Sequence, residues 1–134
     1  AAREARRIKA PFGKICDPVG RPVERGYSLL PWAIEQGRGL DFVRVFLRSV
    51  WAEGVDANSK GGMRHIVEAT GLDWQSARKI VGNDDWRQEA EANRLEMMSL
   101  GVWGVPSFKI GDVVTWGQDR LWVIENELKK NRMT

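Results

Sequence analysis

Apolar and polar positions alternate along this chain with a helical period for most of its length. Phe42, Val43, Phe46, Leu47, Val50 and Trp51 recur at helical spacing and form one broad apolar face, with Arg44 and Arg48 off it. Asp41 is placed to cap this helix and Gly54 to end it. Before it, Pro22 suits the first turn of a helix running to about Gln36 and ending at Gly37, with a kink or break expected at Pro31. A further helix is predicted from Lys60 to Thr70, stopped by Gly71. A short one runs from Asp73 through Val81, closed by Gly82. A longer one, capped by Asp84 or Asp85, ends at Gly101, with Trp86, Ala90, Met97 and Met98 expected on its inner side. Residues 1–10 are charged and helix-permissive, and Pro11 stops them. Pro11, Gly13, Pro18, Gly20 and Pro22 mark an irregular connector.

The pattern changes after Gly101. Ser107–Ile110 and Val113–Trp116 read as two short strands separated by Gly111-Asp112, a two-residue loop with glycine first and so the signature of a type II′ hairpin. Gly117 and Asp119 lead into a last helix with Leu121, Ile124 and Leu128 on one side. A lone two-stranded hairpin is marginal, and no other stretch reads as a strand. With no initiator Met, this predicts that a strand-bearing segment precedes the chain. Residues 1–20 are then a connector, 21–101 a helical domain, and 102–134 the hairpin and final helix.

Composition narrows the classes. With 134 residues the chain supports one domain with a core. The net charge of +3 is mild, and much of the excess lies in Arg3, Arg6, Arg7 and Lys9 at one end and Lys129, Lys130 and Arg132 at the other. Solvated helix faces explain this, and no basic stripe with interleaved aromatics points to nucleic acid. No apolar run reaches the roughly 18 residues of a membrane span, so neither partner class is expected. Cys16 is the single cysteine, which rules out a Cys-x-x-Cys pair within this chain. The seven tryptophans are expected mostly in the core.

The stretch Gly104-Val105-Pro106-Ser107-Phe108, then a hairpin, then Trp116-Gly117-Gln118-Asp119-Arg120-Leu121 resembles the end of the DsbA-type branch of the thioredoxin superfamily. It is similar in particular to the kappa-class glutathione transferases and 2-hydroxychromene-2-carboxylate isomerases. The run Val50-Trp51-Ala52-Glu53-Gly54, and later Gly71-Leu72-Asp73, resembles the helical insertion of that family. The resemblance implies an α/β, mostly helical chain: a thioredoxin-like fold with an inserted helical domain, its N-terminal strand-helix-strand half missing. The catalytic nucleophile, a Ser or a Cys pair after the first strand, has no counterpart here. The resemblance assigns no catalytic residue to this chain.

It does imply binding residues. A cis Val105–Pro106 bond is expected, with the Val105 main chain left to pair with an extended peptide such as glutathione; the alternative is a trans proline opening an edge strand. Gln118 and Asp119 start the last helix, where free amides would hold a glutathione carboxylate and the Asp119 side chain its ammonium; Asp119 as a helix cap is compatible with both. Trp103 and Trp116 flank the motif and are candidate walls of an aromatic substrate pocket, against the plainer reading as core. For Arg120 a salt bridge is expected, for Cys16 an incidental thiol. His65, with only Arg64 and Glu68 near it, is expected to be a helix-surface residue rather than a metal ligand. The expected function is a glutathione-dependent isomerase or transferase, with glutathione as cosubstrate, no metal, and a small aromatic or unsaturated acid as substrate. Alternatives are a DsbA-type disulfide oxidoreductase and a non-catalytic binding or assembly module. A homodimer or pairing with another chain is expected, because an unpaired strand edge invites it. The setting is cytoplasmic, or periplasmic for the oxidoreductase.

Overall fold

The computed structural model describes residues 1–132. The chain divides into two compact units, Ala1–Trp86 and the residues from Arg87 on. The division falls earlier than the helix-to-hairpin change at residue 101, so that α6, below, runs almost wholly in the unit of the hairpin.

In the first unit, α1 (Ala2–Arg7) leads into the Pro- and Gly-rich connector. The connector is tied down by main-chain bonds: Gly13 N–H donates to Trp51 O (3.0 Å) and Cys16 N–H to Val50 O (2.8 Å). Helix α2 (Arg21–Glu35) carries Pro22 in its first turn. Pro31 lies inside it, and α2 continues past Pro31 as one helix rather than breaking there. Helix α3 (Gly39–Ala52) begins before Asp41: Arg38 holds the capping position, and Asp41 sits in the first turn, paired with Arg38 at 3.3 Å. A negative side chain in a first turn faces the positive end of the helix dipole, which explains its place without a cap. Helix α4 (Lys60–Ala69) is capped by Ser59, whose hydroxyl accepts from Gly62 N–H at 2.9 Å. Helix α5 (Trp74–Ile80) is capped by Asp73, whose carboxylate accepts from Ser76 N–H at 2.7 Å.

The apolar stripes of these helices meet in one core. Leu29 and Ala33 of α2, Phe42, Phe46 and Val50 of α3, Met63, Ile66 and Val67 of α4, and Trp74 and Ala77 of α5 are all buried. Gly26 lets α2 approach α3 closely, since a Cβ there would lie 2.8 Å from the Phe46 ring. Arg38 bridges back to the end of α4, donating twice to Thr70 O at 3.1 and 2.7 Å.

The second unit holds α6 (Trp86–Ser99, its first residue in the first unit), β1 (Ser107–Ile110), β2 (Val113–Trp116), a short 3-10 turn (Gln118–Arg120) and α7 (Leu121–Arg132). The strands pair antiparallel, Ser107 with Trp116 and Ile110 with Val113. Gly111 has φ +55° and Asp112 does not share the positive region, as a type II′ turn requires. The inner face expected for α6 does not form. Ala90 and Met98 are exposed, Met98 at 58%, and Met97 and Trp86 are half-buried. Trp86 stacks on Tyr27 within the first unit, ring centres 5.1 Å apart. The tryptophans divide: Trp74 is in the core and Trp32 and Trp51 pack half-buried against it, Trp86 and Trp116 are half-buried elsewhere, and Trp103 and Trp122 are exposed. No helix among the described residues is long and apolar enough to cross a membrane.

Candidate functional site

The second unit brings the two sequence motifs together. Gly117 N–H donates to Pro106 O at 2.9 Å, continuing the β1–β2 ladder by one step past Ser107 and Trp116. Val105-Pro106 therefore lies beside Gly117-Gln118. The Val105–Pro106 peptide bond is cis. Ser107 Oγ donates to Gly104 O and fixes the turn before it. Val105 is 82% exposed, and its main-chain N–H and C=O take no hydrogen bond among the described residues.

At the other motif, Gly117 precedes the 3-10 turn with φ +98°, a backbone state suited to glycine. A Cβ there would also lie 2.5 Å from Asp119 Oδ1. No side chain caps the turn, so Asp119 is not its capping residue. The Asp119 carboxylate is exposed and makes no hydrogen bond or ion pair among the described residues. Gln118 is exposed as well. A free carboxylate in the 3-10 turn and a free main-chain segment in the bend before β1 thus flank the open end of the hairpin.

Trp103 and Trp116 touch, with ring centres 5.5 Å apart and planes inclined by 37°. Gly104 fits against Trp116 because it has no side chain; a Cβ would come within 2.8 Å of the indole. The salt bridge expected of Arg120 is absent. Its guanidinium instead sits over Trp116, 5.2 Å from the ring centre, and pairs with no carboxylate among the described residues. The two residues are four apart, and the turn from Gly117 through Asp119 carries the guanidinium back over the indole.

A cavity of about 350 Å³ lies on the same unit, and neither indole lines it. Met97, Leu100, Val102, Val105, Phe108 and Val114 give it apolar walls. Lys109 and Glu96 line it too, paired at 3.2 Å. Of the sequence-predicted site residues only Val105 lines this cavity. The volume falls in the range of small-molecule sites. Met97 and Phe108 were legible in the sequence as apolar positions of adjacent elements, and their convergence was not.

Elsewhere, Cys16 is a half-exposed free thiol and His65 is exposed on α4. Among the described residues no cluster of His, Cys, Asp and Glu has the makings of a metal site.

The sequence matches the family model of the DSBA-like thioredoxin domain over residues 5–129. The chain belongs to that family. Its fold is the thioredoxin-like DsbA fold, mostly helical with a small two-stranded sheet. Among curated proteins it is similar to 2-hydroxychromene-2-carboxylate isomerase of Sphingobium xenophagum, 28% identical over 97 residues, covering 72% of this chain and 50% of the relative. The isomerase of the same name from Pseudomonas sp. strain C18 is 26% identical over 85 residues, covering 63% of this chain and 40% of the relative. A solved 2-hydroxychromene-2-carboxylate isomerase superposes with a TM-score of 0.73 at 20% identity, over 96% of this chain and 62% of that one. The chain thus spans half or less of the length of these two curated relatives. In this DSBA-like chain the Val105–Pro106 loop and the Gly117–Arg120 turn lie at the open end of the hairpin, joined by the Gly117 N–H to Pro106 O bond.

Proposed function

We propose that this chain forms the glutathione-holding part of an isomerase that acts on a small aromatic or unsaturated acid, of the 2-hydroxychromene-2-carboxylate isomerase type. The observation that carries the reading is a pair of unpartnered groups, the Val105 main chain and the Asp119 carboxylate, on two segments that the Gly117 N–H to Pro106 O bond holds side by side. Glutathione is an extended tripeptide with an ammonium at one end. Its main chain pairs strand-fashion with Val105, as peptides add to free strand edges. Its ammonium meets Asp119, and a carboxylate takes the free amide N–H groups at Gln118. The names of the curated relatives support the isomerase class and the acid.

In this reading the glutathione sulfur adds to the conjugated carbon of the acid as a thiolate and forms a C–S bond. A bond in the resulting single-bonded adduct rotates. The sulfur then leaves with its electron pair, and the double bond reforms in the other geometry. No net oxidation occurs and the thiol is regenerated. Val105, Pro106, Gln118 and Asp119 bind and orient the tripeptide; activation of the thiol is assigned to none of them. A thiol cosubstrate of this kind suits a cytoplasmic setting.

Titration calorimetry with reduced glutathione tests the reading. Binding is expected, and Asp119→Asn is expected to weaken it by about tenfold or more, since a hydrogen bond to a charged group contributes about 1.5–3 kcal/mol. Absence of binding at millimolar glutathione would overturn the proposal.

A further inference from the structure

Arg120 stands apart from the better-tethered arginines of this chain. Arg7, Arg38, Arg48, Arg64 and Arg94 each hold a carboxylate within 3.3 Å. Arg120 holds none among the described residues and lies over the Trp116 indole instead. Such stacking is favourable, and it leaves the in-plane N–H groups of the guanidinium free. Those N–H groups form a fork that matches a carboxylate in bidentate fashion. The neighbouring indole, Trp103, is in contact with Trp116 and is 79% exposed. An aromatic group of that size left open to solvent is a stacking platform without an occupant.

We infer that Trp103, Trp116 and Arg120 form a subsite for a planar aromatic carboxylate, the ring lying against the indoles and the carboxylate accepting from the Arg120 guanidinium. This deepens the isomerase reading and rests on it for the choice of acid, because the relatives' names specify a ring system bearing a carboxylate. The geometry itself owes nothing to glutathione. Arg120 thereby becomes the group that selects an acid over a neutral molecule of the same shape. Gly104 keeps the stack in register, because any larger residue would push into Trp116.

The test compares 2-naphthoate with its neutral isostere 2-naphthamide on the full chain, by calorimetry and by the indole N–H resonances in two-dimensional NMR. Naphthoate is expected to shift the Trp103 and Trp116 resonances and to bind at least ten times more tightly than the amide. Arg120→Gln, an exposed position where folding is readily checked by circular dichroism, is expected to shrink that preference to less than about threefold. Trp103→Leu should weaken both probes alike. Equal binding of acid and amide by the wild type, or an undiminished preference in Arg120→Gln, would overturn the subsite. Glutathione is titrated separately. Glutathione binding without acid preference would sink the subsite and leave the isomerase reading standing. Acid preference without glutathione binding would do the reverse.

Discussion

The two units solve the burial problem differently. In Ala1–Trp86, four helices turn wide apolar stripes toward each other, and Leu29, Val50, Met63, Ile66 and Val67 lose all contact with solvent. From Arg87 on, Val102 and Thr115 are the residues that reach full burial among those described, while Leu95, Met98, Trp103, Val105, Leu121, Trp122 and Leu128 are each at least half exposed. A two-stranded hairpin has too little surface to close a core. Two helices of largely polar sequence add little to it. The difference teaches where to look for chemistry. The first unit commits its apolar stripes to a shared core, although Val19, Ile34 and Leu40 stay exposed at its surface. The other leaves a main-chain segment, a carboxylate, an indole and a guanidinium without partners, all near one strand end.

The contrast can be strained from both sides. The largest expected effect is in the first unit. Phe46→Ala empties a site against Gly26 and Phe42 and should cost about 3–5 kcal/mol in a denaturant melt. Leu128→Ala, a comparable truncation at a half-exposed position of α7, should cost less than about 1 kcal/mol in the same assay. Similar losses at the two positions would show that the units do not differ in packing as described.

The smallest effect is electrostatic. Hydrogen bonds from Ser76 hold the Asp73 carboxyl below its ordinary value of 3.8. Because the folded value lies below the unfolded one, the cap's contribution is complete above 3.8 and is lost as pH falls through the folded value. Asp73→Ala should therefore flatten the acid limb of the stability-against-pH curve and lower stability at neutral pH. An acid limb of unchanged slope would remove Asp73 from the account.

Much of this was legible beforehand, for identifiable reasons. Helix boundaries followed local chemistry: Ser59 and Asp73 cap, and Gly37, Gly71 and Gly101 end helices with positive φ. The hairpin followed from Gly111-Asp112. What failed turned on geometry that residue type alone does not set. The start of α3 was misplaced because Asp41 looked like a cap, when the dipole and Arg38 account for it. The inner face of α6 was misread because Ala90 and Met98 have apolar chemistry but no surface to bury against. The partner of Arg120 lies only four residues back, but it is the turn at Gly117–Asp119 that brings the two together, and residue type alone does not announce that turn's path. The Val105–Pro106 loop was recognisable by motif, whereas the cavity that Val105 lines arises from α6, β1 and β2 together.

Amide hydrogen exchange on the full chain, with and without reduced glutathione, probes the central contrast most directly. The account predicts slow exchange in α3 and α4 under both conditions. It predicts faster exchange over residues 103–120 in the free protein, slowing when glutathione is added. Equal protection of the two units without ligand, together with no change at 103–120 on adding glutathione, would contradict it.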